Sequence, residues 1–152
     1  RNISLEKTAD IARKLTENKD LLVVSIAHSA EGQKIQRMIA EKNIQGWVYF
    51  PEFSALEENM ALLSACHYVV TPDTAWIHIA SALQKKTVGI YREDTNPEEK
   101  NLVIWAPYGN QHRIITVPQV VGQEHRIDDV DIDDVVAEIN QMIKADMVSQ
   151  SP

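Results

Sequence analysis

Apolar positions along the chain fall into two alternating rhythms. Leu5, Ala9, Ala12 and Leu15 recur at helical spacing behind Ser4, a plausible N-cap. Asn18-Lys19-Asp20 breaks that helix, and Leu21 to Ile26 is an apolar run suited to a strand covered on both faces. Ile35, Met38 and Ile39 mark a second helix ending near Asn43, and Gly46 to Phe50 reads as a second strand. Ser54-Ala55-Leu56-Glu57 has the form of a capping box, with Leu56, Met60 and Leu63 on the inner face of its helix. A short strand, Tyr68 to Thr71, runs directly into a helix from Thr74 to about Leu83. Thr87 to Tyr91 is a fourth strand, Arg92 to Gln111 is irregular, and Arg113 to Val117 is a candidate fifth strand. Asp131 caps a last helix carrying Ile132, Val135, Ile139, Met142 and Ile143, and Ser149 to Pro152 reads as a frayed end.

Strand and helix alternate almost throughout. The expected fold class is therefore α/β, a Rossmann-like parallel sheet with helices on both faces. The 152 residues suit one domain, drawn over residues 1–148 with 149–152 as its frayed C-terminus. Ligands of such sheets gather at the carboxyl ends of the strands, which singles out the loops after Ile26, Phe50, Thr71 and Tyr91. The chain opens on Arg1-Asn2-Ile3-Ser4 without a methionine or a lead-in strand, which reads as a piece of a longer protein.

Charge and composition remove several function classes. A formal net charge of −7, with acidic runs at Glu93-Asp94, Glu98-Glu99 and through Asp128 to Asp134, repels a phosphate backbone and speaks against nucleic-acid binding. No apolar run approaches the ~18 residues of a transmembrane segment. A single cysteine, Cys66, rules out an internal disulfide framework and suits the cytoplasm. The glycines are scattered, so there is no Gly-x-Gly-x-x-Gly; there is also no Walker sequence and no cysteine or histidine cluster at metal spacing. Ala27-His28-Ser29-Ala30 lacks the acidic pair of a phospho-acceptor domain. Trp47, Trp76 and Trp105 read as packing residues, and Cys66 as a small buried hydrophobe.

What remains is the turn Thr71-Pro72-Asp73-Thr74. Pro72 stops the strand, and the first free amides of the following helix point out of the sheet, a ready anion site. His78 lies four residues after Thr74 and shares that helix face. On spacing alone a second reading stays open: Asp73 and Thr74 as caps, and His78 as a buried core histidine.

Ala65 to Leu83 carries a strand, then Asp73-Thr74 with a small residue, then two residues and His78, then a helix rich in small residues. This stretch resembles the signature of glycosyltransferase family 9, the lipopolysaccharide heptosyltransferases. Ser54-Ala55-Leu56-Glu57, the strand Thr87 to Tyr91, and Trp105-Ala106-Pro107-Tyr108-Gly109 extend the likeness over nearly the whole chain. It implies the C-terminal half of a GT-B-type fold, with the acceptor domain and its catalytic base on an N-terminal domain absent here. Two departures stand out: Ala75 replaces a glycine, and Arg92-Glu93-Asp94-Thr95-Asn96-Pro97 replaces a Gly-Pro-Thr-Asp-Pro-like loop.

The resemblance also implies roles. This half would bind the donor substrate ADP-heptose with no further cofactor and no metal, for inverting transfer to the lipopolysaccharide inner core of a Gram-negative bacterium. Asp73, Thr74 and the Ala75 amide would meet the diphosphate and sugar, His78 the phosphate region, and Arg1 a phosphate. Glu31 would bind ribose, and Pro51 to Phe53 would hold adenine largely through backbone. Arg92 is a candidate phosphate or sugar contact, with a solvated loop arginine as the alternative. The setting would be cytoplasmic, peripheral at the inner membrane for the full-length protein, and this piece alone is expected to be inactive. The competing readings are a non-catalytic nucleotide or nucleotide-sugar module, another GT-B transferase using a UDP- or GDP-sugar, and a sugar-nucleotide epimerase.

Overall fold

The computed structural model describes residues 2–51, 53–96, 98, 101–109 and 111–150. The chain divides into two compact units, Ile3–Asn59 and the residues from Met60 onward.

In the first unit, helix α1 spans Leu5–Leu15, with the Ser4 hydroxyl accepting the Lys7 amide at 3.4 Å. Strand β1 is Val23–Ala27, α2 is Ser29–Lys42 and β2 is Trp47–Pro51. The first strand begins later than the apolar run suggests. The Leu21 amide is still in the preceding turn, bonded to the Asn18 carbonyl at 3.1 Å. Helix α2 ends at Asn43, which takes a left-handed conformation (φ 48°) while the Ile44 amide reaches back to the Ile39 carbonyl. β1 and β2 pair in parallel, Val23 opposite Trp47. Ala9, Ala12, Ile35, Ile44 and Trp47 form the core. Gly32 makes room there for the ring of Tyr49, which a side chain at this position would displace.

Helix α3, Leu56–Ala65, contains the boundary between the units. Its head is not tied by the Ser54 box. Asn59 does that work from inside the helix, exchanging hydrogen bonds with the amide (2.9 Å) and carbonyl (2.8 Å) of Phe53.

The second unit holds strand β3 (Tyr68–Pro72), α4 (Ala75–Ala82), β4 (Lys86–Arg92), α5 (Asn101–Trp105), β5 (His112–Val117) and α6 (Ile132–Ser149). Its sheet runs β3-β4-β5, all parallel, so the parallel pairing falls into two sheets, one in each unit. β4 is central, and Thr87, Val88, Gly89, Ile90 and Tyr91 are all buried, the pattern of a strand covered on both faces. Helix α4 packs on β3 and β4, and α6 on β4 and β5. Asp131 caps α6 as its position suggests, accepting the Asp133 amide at 2.9 Å, and that helix continues through Ser149. The stretch after Arg92, read as irregular, contains α5, whose start is held by Asp94 accepting the Leu102 amide at 3.2 Å. Val103 and Ile104 stay 80% and 64% exposed, so α5 has no buried stripe by which periodicity could reveal it.

Candidate functional site

The turn between β3 and α4 is built by the end of strand pairing. Pro72 sits opposite Ile90, and the Asp73 amide donates to the Ile90 carbonyl at 3.0 Å, so the ladder reaches one residue past the proline. Thr74 then occupies the N-cap position in extended conformation (φ −143°, ψ 171°), yet its side chain caps nothing. Its hydroxyl lies 3.1 Å from that of buried Thr71, which donates its own proton to the Pro72 carbonyl at 3.0 Å. One hydroxyl has one proton to give, so Thr74 is the donor in that pair.

This corrects the capping alternative. With Thr74 turned back onto Thr71, the amides of Ala75 and Trp76 have no partner among the described residues, and the first bonded helix amide is Ile77, on the Thr74 carbonyl at 3.1 Å. Asp73, Ala75 and His78 are exposed at this end. The buried-core reading of His78 therefore also fails. Its ring stands instead edge-on to Trp105, centroids 6.5 Å apart.

Beneath the turn lies Tyr91, which is fully buried. Its phenol donates to the Trp105 carbonyl at 2.8 Å and is pushed up to about 12, first by burial and then by the negative charge of Asp73. Arg92 follows at the end of β4, exposed and without an ion pair among the described residues. The second unit thus brings Asp73, Thr74, Ala75, His78 and Arg92 to the carboxyl end of β3 and β4. The arrangement offers two amides unpartnered among the described residues at a positive helix end, one cation, one carboxylate and one imidazole. That set can hold an anion beside a hydroxyl-bearing group.

Glu31 and Phe53 belong to the first unit. Glu31 is exposed in the first turn of α2, and its carboxylate takes the Lys34 ammonium at 2.8 Å. Both backbone groups of Phe53 are used by Asn59, so its partly exposed ring, rather than its backbone, is what a ligand would meet. Arg1 lies outside the described residues.

Sequence reasoning missed Tyr91, Trp105 and Asn59. Trp47 does pack, 2% exposed with its indole donating to Ser25 at 2.8 Å, and Trp76 packs against Leu63, Val69 and Ala80. Trp105 does not; it is 53% exposed. Cys66 is only half-buried. Clefts of about 230 and 360 Å³ open elsewhere in the second unit, near Lys85, Gln111 and Asp146 at the amino ends of β4 and β5. Among the described residues no helix is long and apolar enough to cross a membrane, and no cluster of metal-binding side chains occurs.

The sequence pattern described as glycosyltransferase family 9 (heptosyltransferase) matches residues 6–130. A protein of Escherichia coli (strain K12), provisionally named lipopolysaccharide heptosyltransferase 4, is 30% identical over 83 residues, 55% of this chain and 22% of the relative. The solved E. coli ADP-heptose lps heptosyltransferase II superposes with a TM-score of 0.71 at 19% identity, over 95% of this chain and 42% of its own. The E. coli heptosyltransferase WaaC with ADP gives 0.69 at 17% identity, over 91% and 39%. The chain spans about two-fifths of either solved structure, and the fold, parallel sheets with helices on both faces, is shared with that part.

Proposed function

Because the chain belongs to glycosyltransferase family 9, the heptosyltransferase family, we propose that it is the donor-binding part of an enzyme moving heptose from ADP-heptose to the inner core of lipopolysaccharide. The observation that carries this reading is the pair of amides, Ala75 and Trp76, that have no partner among the described residues at the head of α4 beside exposed Asp73 and His78. Glycosyl transfer releases a diphosphate that gains negative charge as the bond breaks. Amides aimed at it hold it more tightly as that charge grows, which lowers the barrier.

The roles follow from charge. The Ala75 amide, Arg92 and Arg1 meet the diphosphate, with His78 beside them. Asp73 repels phosphate, so it accepts from a sugar hydroxyl. Thr74 holds the turn open by bonding Thr71 instead of capping. In the first unit, Glu31 takes the ribose hydroxyls, exchanging Lys34 for them, and the loop at Phe53 receives adenine. Transfer is inverting and proceeds without a metal ion, the amides and arginines answering the charge. The acceptor and the catalytic base belong to the remainder of the enzyme, in the cytoplasm at the inner membrane.

Titrating the purified chain with ADP, UDP and GDP tests the reading. ADP should bind measurably tighter than the other two. UDP binding as well as ADP or better would remove ADP-heptose as donor while leaving the fold untouched.

A further inference from the structure

Trp105 stands beside His78 of α4, and it is held there. Tyr91 donates to its carbonyl at 2.8 Å, Ser81 donates to the Tyr108 carbonyl at 2.5 Å just beyond it, and Asp94 fixes the start of its helix at Leu102. The backbone is tied while the indole is left 53% exposed, edge-on to His78 with the ring planes at 64°. A tryptophan placed for packing is covered, as Trp47 is. An anchored and exposed indole beside an exposed imidazole, held by a tyrosine that also feels the charge of exposed Asp73, suits a ligand with an apolar face and polar edges.

We infer that Trp105 is a specificity-determining residue of the donor site, an aromatic wall against which the C–H face of the donor's pyranose ring stacks while its hydroxyls reach Asp73. This rests on the donor reading above and adds to it a reason for discriminating nucleotide sugar from bare nucleotide. The nucleotide does not touch the indole. Tyr91 acts through Trp105, fixing the backbone from which the indole projects.

The test compares ADP with ADP-heptose on the purified chain, wild type against Trp105→Ala and Trp105→Phe, by calorimetry and tryptophan emission. Trp105→Ala should weaken ADP-heptose by roughly three- to tenfold, the value of one aromatic contact, and leave ADP within about twofold. Trp105→Phe should keep most of the preference. ADP-heptose, but not ADP, should change an emission component that both variants lack. Equal loss of both ligands in Trp105→Ala, or no loss of either, overturns the aromatic wall and leaves the donor reading standing. A wild-type chain that binds neither ligand overturns the donor reading and this proposal with it. Thermal melts of both variants within a few degrees of wild type confirm that the folded protein is being measured.

Discussion

The phenol of Tyr91 donates to the carbonyl of Trp105 at 2.8 Å, so a buried residue of β4 fixes the position of a half-exposed residue of α5. Neither end of this bond is legible from spacing, since fourteen residues separate the partners. Tyr91→Phe keeps the packing and removes the donor. It should cost about 0.5–1.5 kcal/mol in denaturant unfolding, the net worth of one hydrogen bond. The emission of Trp105 should also shift towards that of a freer indole. A variant with wild-type stability and unchanged emission would show that the bond does not hold α5.

Two tyrosines give the second unit an alkaline limit. Tyr91 is pushed up to about 12 by burial and then by Asp73, and Tyr68 to about 12 by burial and then by its bond to Asp146. Both bind their proton more tightly folded than unfolded. Their contribution is therefore complete below the ordinary tyrosine value of 10.0 and lost as pH rises from there through 12. Asp146 sets the opposite limb: the bonds from Lys86 and then Tyr68 lower its pKa, so its contribution exists above the ordinary value of 3.8 and is lost as pH falls through the folded one. Denaturant melts across pH should show Tyr91→Phe flattening the alkaline loss and Asp146→Asn flattening the acid loss. If both variants keep the wild-type slopes, other groups govern the two limits.

Asp73 separates binding from folding. Its carboxylate makes no hydrogen bond to any described residue and it is exposed, so Asp73→Ala should change stability by less than about 1 kcal/mol. It should weaken ADP-heptose more than ADP, because its proposed partner is a sugar hydroxyl. Arg92→Ala should weaken both by about 1–3 kcal/mol if a charge-assisted phosphate bond is lost. Calorimetry on folded protein checks both. Melting of the Asp73→Ala chain with affinities unchanged would return Asp73 to a structural role.

The alternation of strand and helix could be read in advance because burial imposes its own period, as in the run from Thr87 to Tyr91 and the stripe of α6. The turn after β3 could be read too, since Pro72 ends a strand and Asp73-Thr74 can open a helix. Where reading failed, a partner distant in sequence or an unmarked local choice decided the outcome. Thr74 bonds Thr71 rather than the helix it precedes, and Phe53 is held by Asn59 rather than by the Ser54 box. Glu31 could also have been anticipated to pair with Lys34, three residues on, but that spacing says nothing about ligand binding. A tryptophan's size argues for burial, whereas the exposure of Trp105 depends on where Tyr91 and Asp94 tie α5 and Ser81 ties the loop after it.

Gly89 links the core to the turn and gives the last prediction. It lies at the centre of β4, and a Cβ there would run into Cδ1 of Ile77 and meet Cε2 of Tyr91 at 3.0 Å. Ile77 belongs to the first turn of α4 and is 0% exposed, so it cannot swing into solvent. Ile77 must repack inside the core, and that strain is passed to the head of α4 and the amides of Ala75 and Trp76. Gly89→Ala should therefore destabilise the chain by about 1–3 kcal/mol, as overpacking does, and also weaken ADP. Ile77→Val removes the colliding methyl. Alone it should cost about 0.5–1.5 kcal/mol as a core truncation. In the Gly89→Ala background it should cost less than that or restore stability, and ADP affinity should recover with it. A double-mutant cycle measures the coupling directly. Strictly additive losses would mean that the added methyl does not reach Ile77, and that close packing of α4 on β4 is not what holds the amides in place.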